Sequence, residues 1–275
     1  MRQIQARAVS ARSESGPSPA RRPRNLLPLA LGALSLGIVV VVWWGITSLQ
    51  LVSTLLLPTP WQVLKAFAAL TVRGILPEYI LVSLLRILAG FLMAAIVGIG
   101  LGVLMGRARA LFWLISPLVE VSRPIPPIAL LPLVIIWFGI GESARISVIF
   151  YGALFPILLN SIQAVQNVDA NLIRAAQSLG ASDRQVFTFV ILPAAFPTIV
   201  TGLRLGAGIA FLVLVAAELL AASSGIGYMI MDARDHLFTD RVMVGIIVLG
   251  LLGSFLNKLL LYLEGRVIRG RAPTR

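Results

Sequence analysis

The stretch AAQSLGASDRQVFTFVILP, Ala175 to Pro193, reads as two helical arms around a glycine, closed by Leu-Pro, inside a chain that is otherwise mostly apolar. Asp169 is placed to cap a short first helix in which Leu172, Ala175, Ala176 and Leu179 fall at i, i+3, i+4 and i+7, giving one apolar stripe. Gly180 supplies a left-handed stop. Ser182 with Gln185 three residues later is a capping box for a second helix, and Pro193, having no N–H to donate, interrupts that helix. Spacing alone allows two readings of the hairpin. It is either a surface link whose stripe lies on lipid headgroups, or a rigid knob whose stripe fits a groove on a soluble partner.

The surroundings of this hairpin are those of a membrane protein. Of 275 residues, 58% are hydrophobic and 12% charged, and mean hydropathy is +0.95, far from a soluble domain. The net charge of +12 does not point to nucleic acid, because a phosphate-binding patch needs charge clustered on a folded polar surface. With no cysteine and one histidine, His236, disulfide scaffolds, thiolate catalysis and a multi-His or Cys metal site are excluded. Residues 1–25 carry six arginines among Ser, Pro, Ala and Gly. Such a segment cannot bury enough surface to offset its ordering entropy, so a disordered basic tail is expected there. Residues 266–275 read as a second basic tail, leaving 26–265 as the membrane domain.

An apolar length of about 20 residues per span predicts six helices, near 26–46, 80–106, 124–141, 146–165, 199–222 and 242–262. The first holds 21 residues without a charge, longer than a signal-peptide core, so it is read as an uncleaved span. Segments on the side of the N-terminus hold 15 Lys and Arg against 5 on the other. The positive-inside rule therefore places both termini, and the hairpin between spans four and five, in the cytoplasm.

Ala175-Ala176, Gly180 and Val190-Ile191-Leu192-Pro193 resemble the EAA loop of inner-membrane permease subunits of ATP-binding-cassette importers: Glu-Ala-Ala, three residues, Gly, nine residues, Ile-x-Leu-Pro. SRPIPPIALLPLVIIWFGIGE (122–142), FPILLN (155–160), TGLRLG (201–206) and AAELLAASSGIGYMI (216–230) extend the resemblance to the nitrate, sulfonate and taurine branch, over roughly residues 50–265. The resemblance implies an all-α, polytopic, non-catalytic permease domain in a bacterial inner membrane. It also implies two permease copies, a cytoplasmic ATPase gripping the loop, and an extracytoplasmic binding protein delivering a small solute such as an organic sulfonate, taurine or nitrate. The same machinery importing a thiamine-precursor or flavin-like heterocycle is the alternative. Leu172, Arg174, Ala175, Ala176, Leu179, Gly180, Leu192 and Pro193 are the implied coupling residues. Arg174 departs from the motif, standing where the family has glutamate, and so puts any salt bridge at that position in question. No G-x-x-x-x-G-K-[ST] loop is present, so the chain has no phosphate cradle of its own; no cofactor is expected here, and ATP would be used by the partner.

Charges inside spans are the default functional candidates. Arg86 and Glu218 fall at similar depth, so they either pair, lowering the cost of both, or line the pathway, Arg86 attracting an anion that Glu218 orients. Arg204, near the inner end of its span, reads as a headgroup-level anchor. Pro124, Pro126 and Pro127 either break a helix at membrane depth, which tends to line a pathway, or mark a helix entrance at the interface. Gly98, Gly102 and Gly106 recur every four residues, permitting close helix approach. Ser223 to Gly227 reads as a flexible outer turn within reach of a binding protein. A hydrolase elbow is disfavoured there, since Ala222 stands where its first glycine belongs. An ion-coupled secondary transporter would want several intramembrane carboxylates, and Glu218 is nearly alone. For a membrane-embedded enzyme, His236 with Asp232, Asp235 and Asp240 reads as a solvated outer surface.

Overall fold

A computed structural model describes residues 27–269 of the chain; the N-terminal tail expected from the sequence lies outside the described residues, and of the expected C-terminal tail only 266–269 are described, where the last helix continues instead of ending. The chain divides into two units, 1–51 and 52–275. The first contributes α1, Leu27–Ser48. The second contains α2 (Pro60–Val72), α3 (Ile75–Arg107), α4 (Arg109–Ser122), a 3-10 turn (Pro127–Leu130), α5 (Leu131–Phe138), α6 (Glu142–Gln166), α7 (Ala170–Ser178), α8 (Asp183–Val186), a π turn (Phe187–Ile191), α9 (Leu192–Ala221), α10 (Ile226–Asp235) and α11 (Thr239–Arg269). All elements among the described residues are helical. Four helical runs are long and apolar enough to cross a membrane, five if the bent pair formed by α4 and the 127–138 segment counts as one. In α1 the apolar stretch Leu34–Ser48 is shorter than that ruler.

The core of the second unit is a three-helix seam. A Cβ placed on Gly90, Gly98, Gly102 or Gly106 of α3 would lie 2.6, 3.0, 2.6 or 2.7 Å from Ile149, Ile157, Ser161 or Val165 of α6. Each partner is 59 positions further along the chain. A constant offset means that α3 and α6 run parallel in one register, with the four-residue glycine period set against its neighbour's backbone. On its other face α6 receives α9 antiparallel: Gly202 abuts Asn160 and Gly206 abuts Ile157. Ala94, Ile149, Ala153, Ile157 and Ala210 are fully buried along this seam. On α3, Leu81, Leu85, Leu88, Leu92 and Ile96 remain exposed, an apolar surface suited to lipid or to another transmembrane helix and not to water.

The segment expected as a straight span over 124–141 is instead bent. The axes of α4 and the 127–138 segment differ by 87°. Pro124, Pro126 and Pro127 remove three opportunities for i to i−4 bonding within four residues, and hydropathy along a window carries no directional information. Pro193 differs as well. The helix does not end at Pro193; it widens into the π turn just before, Leu192 N–H reaching Phe187 O, and continues as α9. Widening by one residue is how a helix absorbs a local break in its ladder.

Candidate functional site

At the hairpin, Asp169 caps α7 by accepting from Asn171 N–H at 2.8 Å. Gly180 adopts φ +83°; Ala181 N–H bonds Ala176 O at 3.1 Å and Gly180 N–H bonds Gln177 O at 2.9 Å, a Schellman closure that requires the left-handed residue. Ser182 and Gln185 form the reciprocal capping box of α8. The two arms differ in attachment. Val186 is buried and the Arg107 guanidinium sits 4.4 Å over the Phe187 ring, fixing the second arm to the end of α3. In α7 no residue is buried. Leu172 is 50% exposed and Leu179 89%, so among the described residues nothing covers the apolar stripe. Arg174 points along its own helix, donating to Asn171 Oδ1 at 2.8 Å. Ala175 and Ala176 lie on the same short helix, and Leu192 and Pro193 at the base of α9.

At the other end of the bundle, the structure brings Arg86 and Glu218 together at 2.7 Å and adds partners. Arg86 Nε and Nη2 fork onto Glu142 at 2.5 and 2.6 Å. Its remaining hydrogens reach Glu218 Oε1, Ser224 O and Ser224 Oγ at 2.7, 2.7 and 2.8 Å. All five guanidinium donors are thereby engaged. Glu218 also accepts from Ser83 Oγ at 2.7 Å and from Gly227 N–H at 2.9 Å. Arg145 Nη1 donates to Glu142 at 2.7 Å, and its Nε and Nη2 donate to Ala221 O at 3.2 and 2.7 Å. Arg86, Arg145, Ser83 and Glu218 are buried. Two cations and two anions make the cluster formally neutral, and it stitches the 221–227 connection to α3 and α6. Gly225, at φ +105°, has no room for a Cβ against the Glu218 carboxylate and Arg86 Nη1. The segment read as a flexible turn is thus held by three of these bonds and by a fourth from Ile226 N–H to Ser83 Oγ at 3.1 Å.

Sequence reasoning did not include Glu142 and Arg145 with the pair. Their i, i+3 spacing at the start of a span, expected level with Arg86, was the available signal. The backbone partners at Ala221, Ser224 and Gly227 carry no sequence signature. Arg204 pairs with Glu264 at 3.0 Å. His236 and Asp232 are 3.6 Å apart and both exposed, and among the described residues no three His, Cys, Asp or Glu side chains are grouped to hold a metal.

Pro124, Pro126 and Pro127 lie at the 87° bend. Tyr151 Oη donates to Ser122 O at 2.6 Å, and a Cβ on Gly152 would come 3.2 Å from Pro127 Cγ. The bend therefore sits beside the middle of α6, away from both of its ends.

Residues 98–269 match the family of binding-protein-dependent transport system inner membrane components. The taurine transport system permease protein of Escherichia coli (strain K12) is 42% identical over 246 residues, 87% of this chain and 88% of that one. The nitrate import permease protein of Leptolyngbya laminosa is 40% identical over 186 residues, 68% and 67% of the two chains. Among solved structures, the MetNI methionine ABC transporter in an inward-facing conformation superposes with a TM-score of 0.58 at 20% identity, covering 78% of this chain and 97% of that one. At that identity the likeness concerns the fold.

Proposed function

The chain belongs to the family of binding-protein-dependent transport system inner membrane components, and from that premise we propose that it is the membrane pathway of an ATP-binding-cassette importer for a small oxyanion: taurine, another organic sulfonate, or nitrate. Its partners in this reading are a cytoplasmic ATPase, an extracytoplasmic binding protein and a second copy of itself. It crosses the inner membrane six times, α1 and the bent pair each counting as a span, with both ends in the cytoplasm. It performs no catalysis; ATP is consumed by the partner subunit.

The observation that carries this reading is α7. A short, doubly capped helix with an uncovered apolar stripe is anchored only through its neighbouring arm, as expected of a lever that another protein grips. Force applied to α7 passes through Gly180 and the buried Val186 into the π turn and α9. The far end of α9 is the Glu218 cluster, so closure of the motor moves the seam as a body, a rigid form of alternating access. Docking here rests on the stripe, on Gly180, and on Ala175 and Ala176, which leave room for a partner to approach. Arg174 takes no carboxylate role. Arg86, with no donor left for a solute, works with Glu218 as a clamp.

The test is the double substitution Leu172→Asp/Leu179→Asp in the chain co-expressed with its ATPase and binding protein. Co-purified ATPase and uptake of labelled taurine, alkanesulfonate or nitrate both fall about tenfold or more, since losing two anchor contacts of about 1.4 kcal/mol or more each suffices. The chain's own denaturation midpoint is unchanged, because neither side chain is buried. Intact motor attachment in this variant would sink the reading.

A further inference from the structure

The bend at 123–126 leaves irregular backbone at depth. Tyr151 and Gly152, which touch it, are nine and ten residues into α6. That is about 14 Å from the start of α6 at 1.5 Å per residue, near the middle of a hydrocarbon layer about 30 Å thick. Residues 123–126 are exposed there. Exposed non-helical backbone does not survive against lipid, and it requires protein cover or a wetted cavity. A cavity of ≈ 440 Å³ opens at this point between the bend, α6 and α9, lined by Arg123, Tyr151, Phe155, Asn160, Gln163 and Ile209 among others.

Among the described residues Arg123 is the only charged one lining that cavity. Its guanidinium makes no hydrogen bond or ion pair within the described chain, in contrast to Arg86, Arg145 and Arg204. Glu120, one turn earlier, lies beside Arg123 in a neighbouring cavity and takes a hydrogen bond from Ser116 at 3.3 Å. The Gln163 side-chain amide is also unengaged, and Asn160 commits one Nδ2 hydrogen to Pro156 O at 2.7 Å. We propose that this cavity is a transit site for a compact organic oxyanion of the alkanesulfonate type. The Arg123 guanidinium and the Gln163 amide face the anionic oxygens, while Phe155 and Ile209 take the short apolar tail. A single free cation with amide neighbours attracts an anion without holding it, as passage demands. The substrate class rests on the importer reading above; the wet, anion-attracting character of the cavity does not.

The chain has no cysteine, so a single introduced thiol reports one place. Gln163→Cys, in the complex assembled with its ATPase in membranes, is treated with 2-sulfonatoethyl methanethiosulfonate and with its trimethylammonium-ethyl counterpart. Each rate is taken relative to that with a free thiol. The anionic reagent is favoured about tenfold, within the range by which a charged cleft concentrates counter-ions, and Arg123→Gln in the same background abolishes the preference. In the otherwise native chain, Arg123→Gln lowers alkanesulfonate uptake about tenfold while Arg123→Lys retains most of it, as expected of a point charge. A thiol at 163 inaccessible to both reagents, or a preference indifferent to Arg123→Gln, overturns the proposal. So does loss of the assembled complex in Arg123→Gln, which would assign the arginine to an interface. Anion preference at the Gln163→Cys thiol, combined with a wild-type complex that moves no sulfonate, supports the site and refutes the importer's substrate class.

Discussion

With 2% of its surface exposed and every N–H engaged, Arg86 cannot be removed without stranding Glu218, which is buried at 1%. Arg86→Met therefore costs about 3–5 kcal/mol, the usual penalty for leaving one member of a buried pair uncompensated. Glu218→Gln keeps an acceptor for Gly227 N–H or Ser83 Oγ and costs less. Reversible denaturation in mixed micelles ranks the two, and a change within about 0.5 kcal/mol for Arg86→Met, typical of a surface site, would show that the cluster holds nothing. Matched depth in the sequence made the Arg86–Glu218 pair legible as one of two readings. The rest of the cluster was not, because several of its partners are backbone groups of 221–227, positioned by Gly225 in a conformation that few residues other than glycine reach.

Between elements, glycines recurring every four residues announce close approach but do not name the neighbour. Gly98, Gly102 and Gly106 could have met any span; the structure seats them, with Gly90, along α6. Contrast between two glycines of α3 tests the seam. A Cβ at Gly102 lands 2.6 Å from Ser161 Cβ and 2.8 Å from Leu158 O, so Gly102→Ala forces the helices apart at a cost of about 1–3 kcal/mol, as overpacking does. At Gly100 nothing lies within 4 Å, and Gly100→Ala gains about 0.5–1 kcal/mol from helix propensity. Opposite signs in the same denaturation assay are expected, and equal effects would deny the close seam. The bend between α4 and α5 was half legible for a similar reason. Pro124, Pro126 and Pro127 signal a break wherever they fall, whereas its depth depends on Tyr151 and Gly152, far along the chain. Short helices such as α2 and α10 escaped a ruler tuned to membrane thickness.

Parallel packing of α3 and α6 constrains the whole molecule. Two spans that begin on the same side must be joined by a segment that crosses back, so the 107–142 connection returns across the membrane although neither half of the bent pair is long enough alone. At 1.5 Å per residue α4 measures about 21 Å and the 127–138 segment about 18 Å, and only together do they match a hydrocarbon layer of about 30 Å. A hydropathy window treated 124–141 as one straight helix, so the presence of an apolar segment was legible where its bent path was not. The bias of arginine and lysine then predicts direction, with the 107–109 start of the bent pair and the 166–198 segment expected inside. Single cysteines in the cysteine-free chain measure this directly. On intact spheroplasts, a membrane-impermeant thiol reagent labels Arg73→Cys, at the turn before α3, and Ile140→Cys, just before α6. It labels Arg109→Cys and Ser178→Cys only after permeabilisation; all four positions are exposed. Labelling of Arg73→Cys and Ile140→Cys from opposite sides would make the bent pair a re-entrant loop and rule out the parallel seam, and reversal of all four would overturn the cytoplasmic placement of α7 and with it the motor's access to its lever.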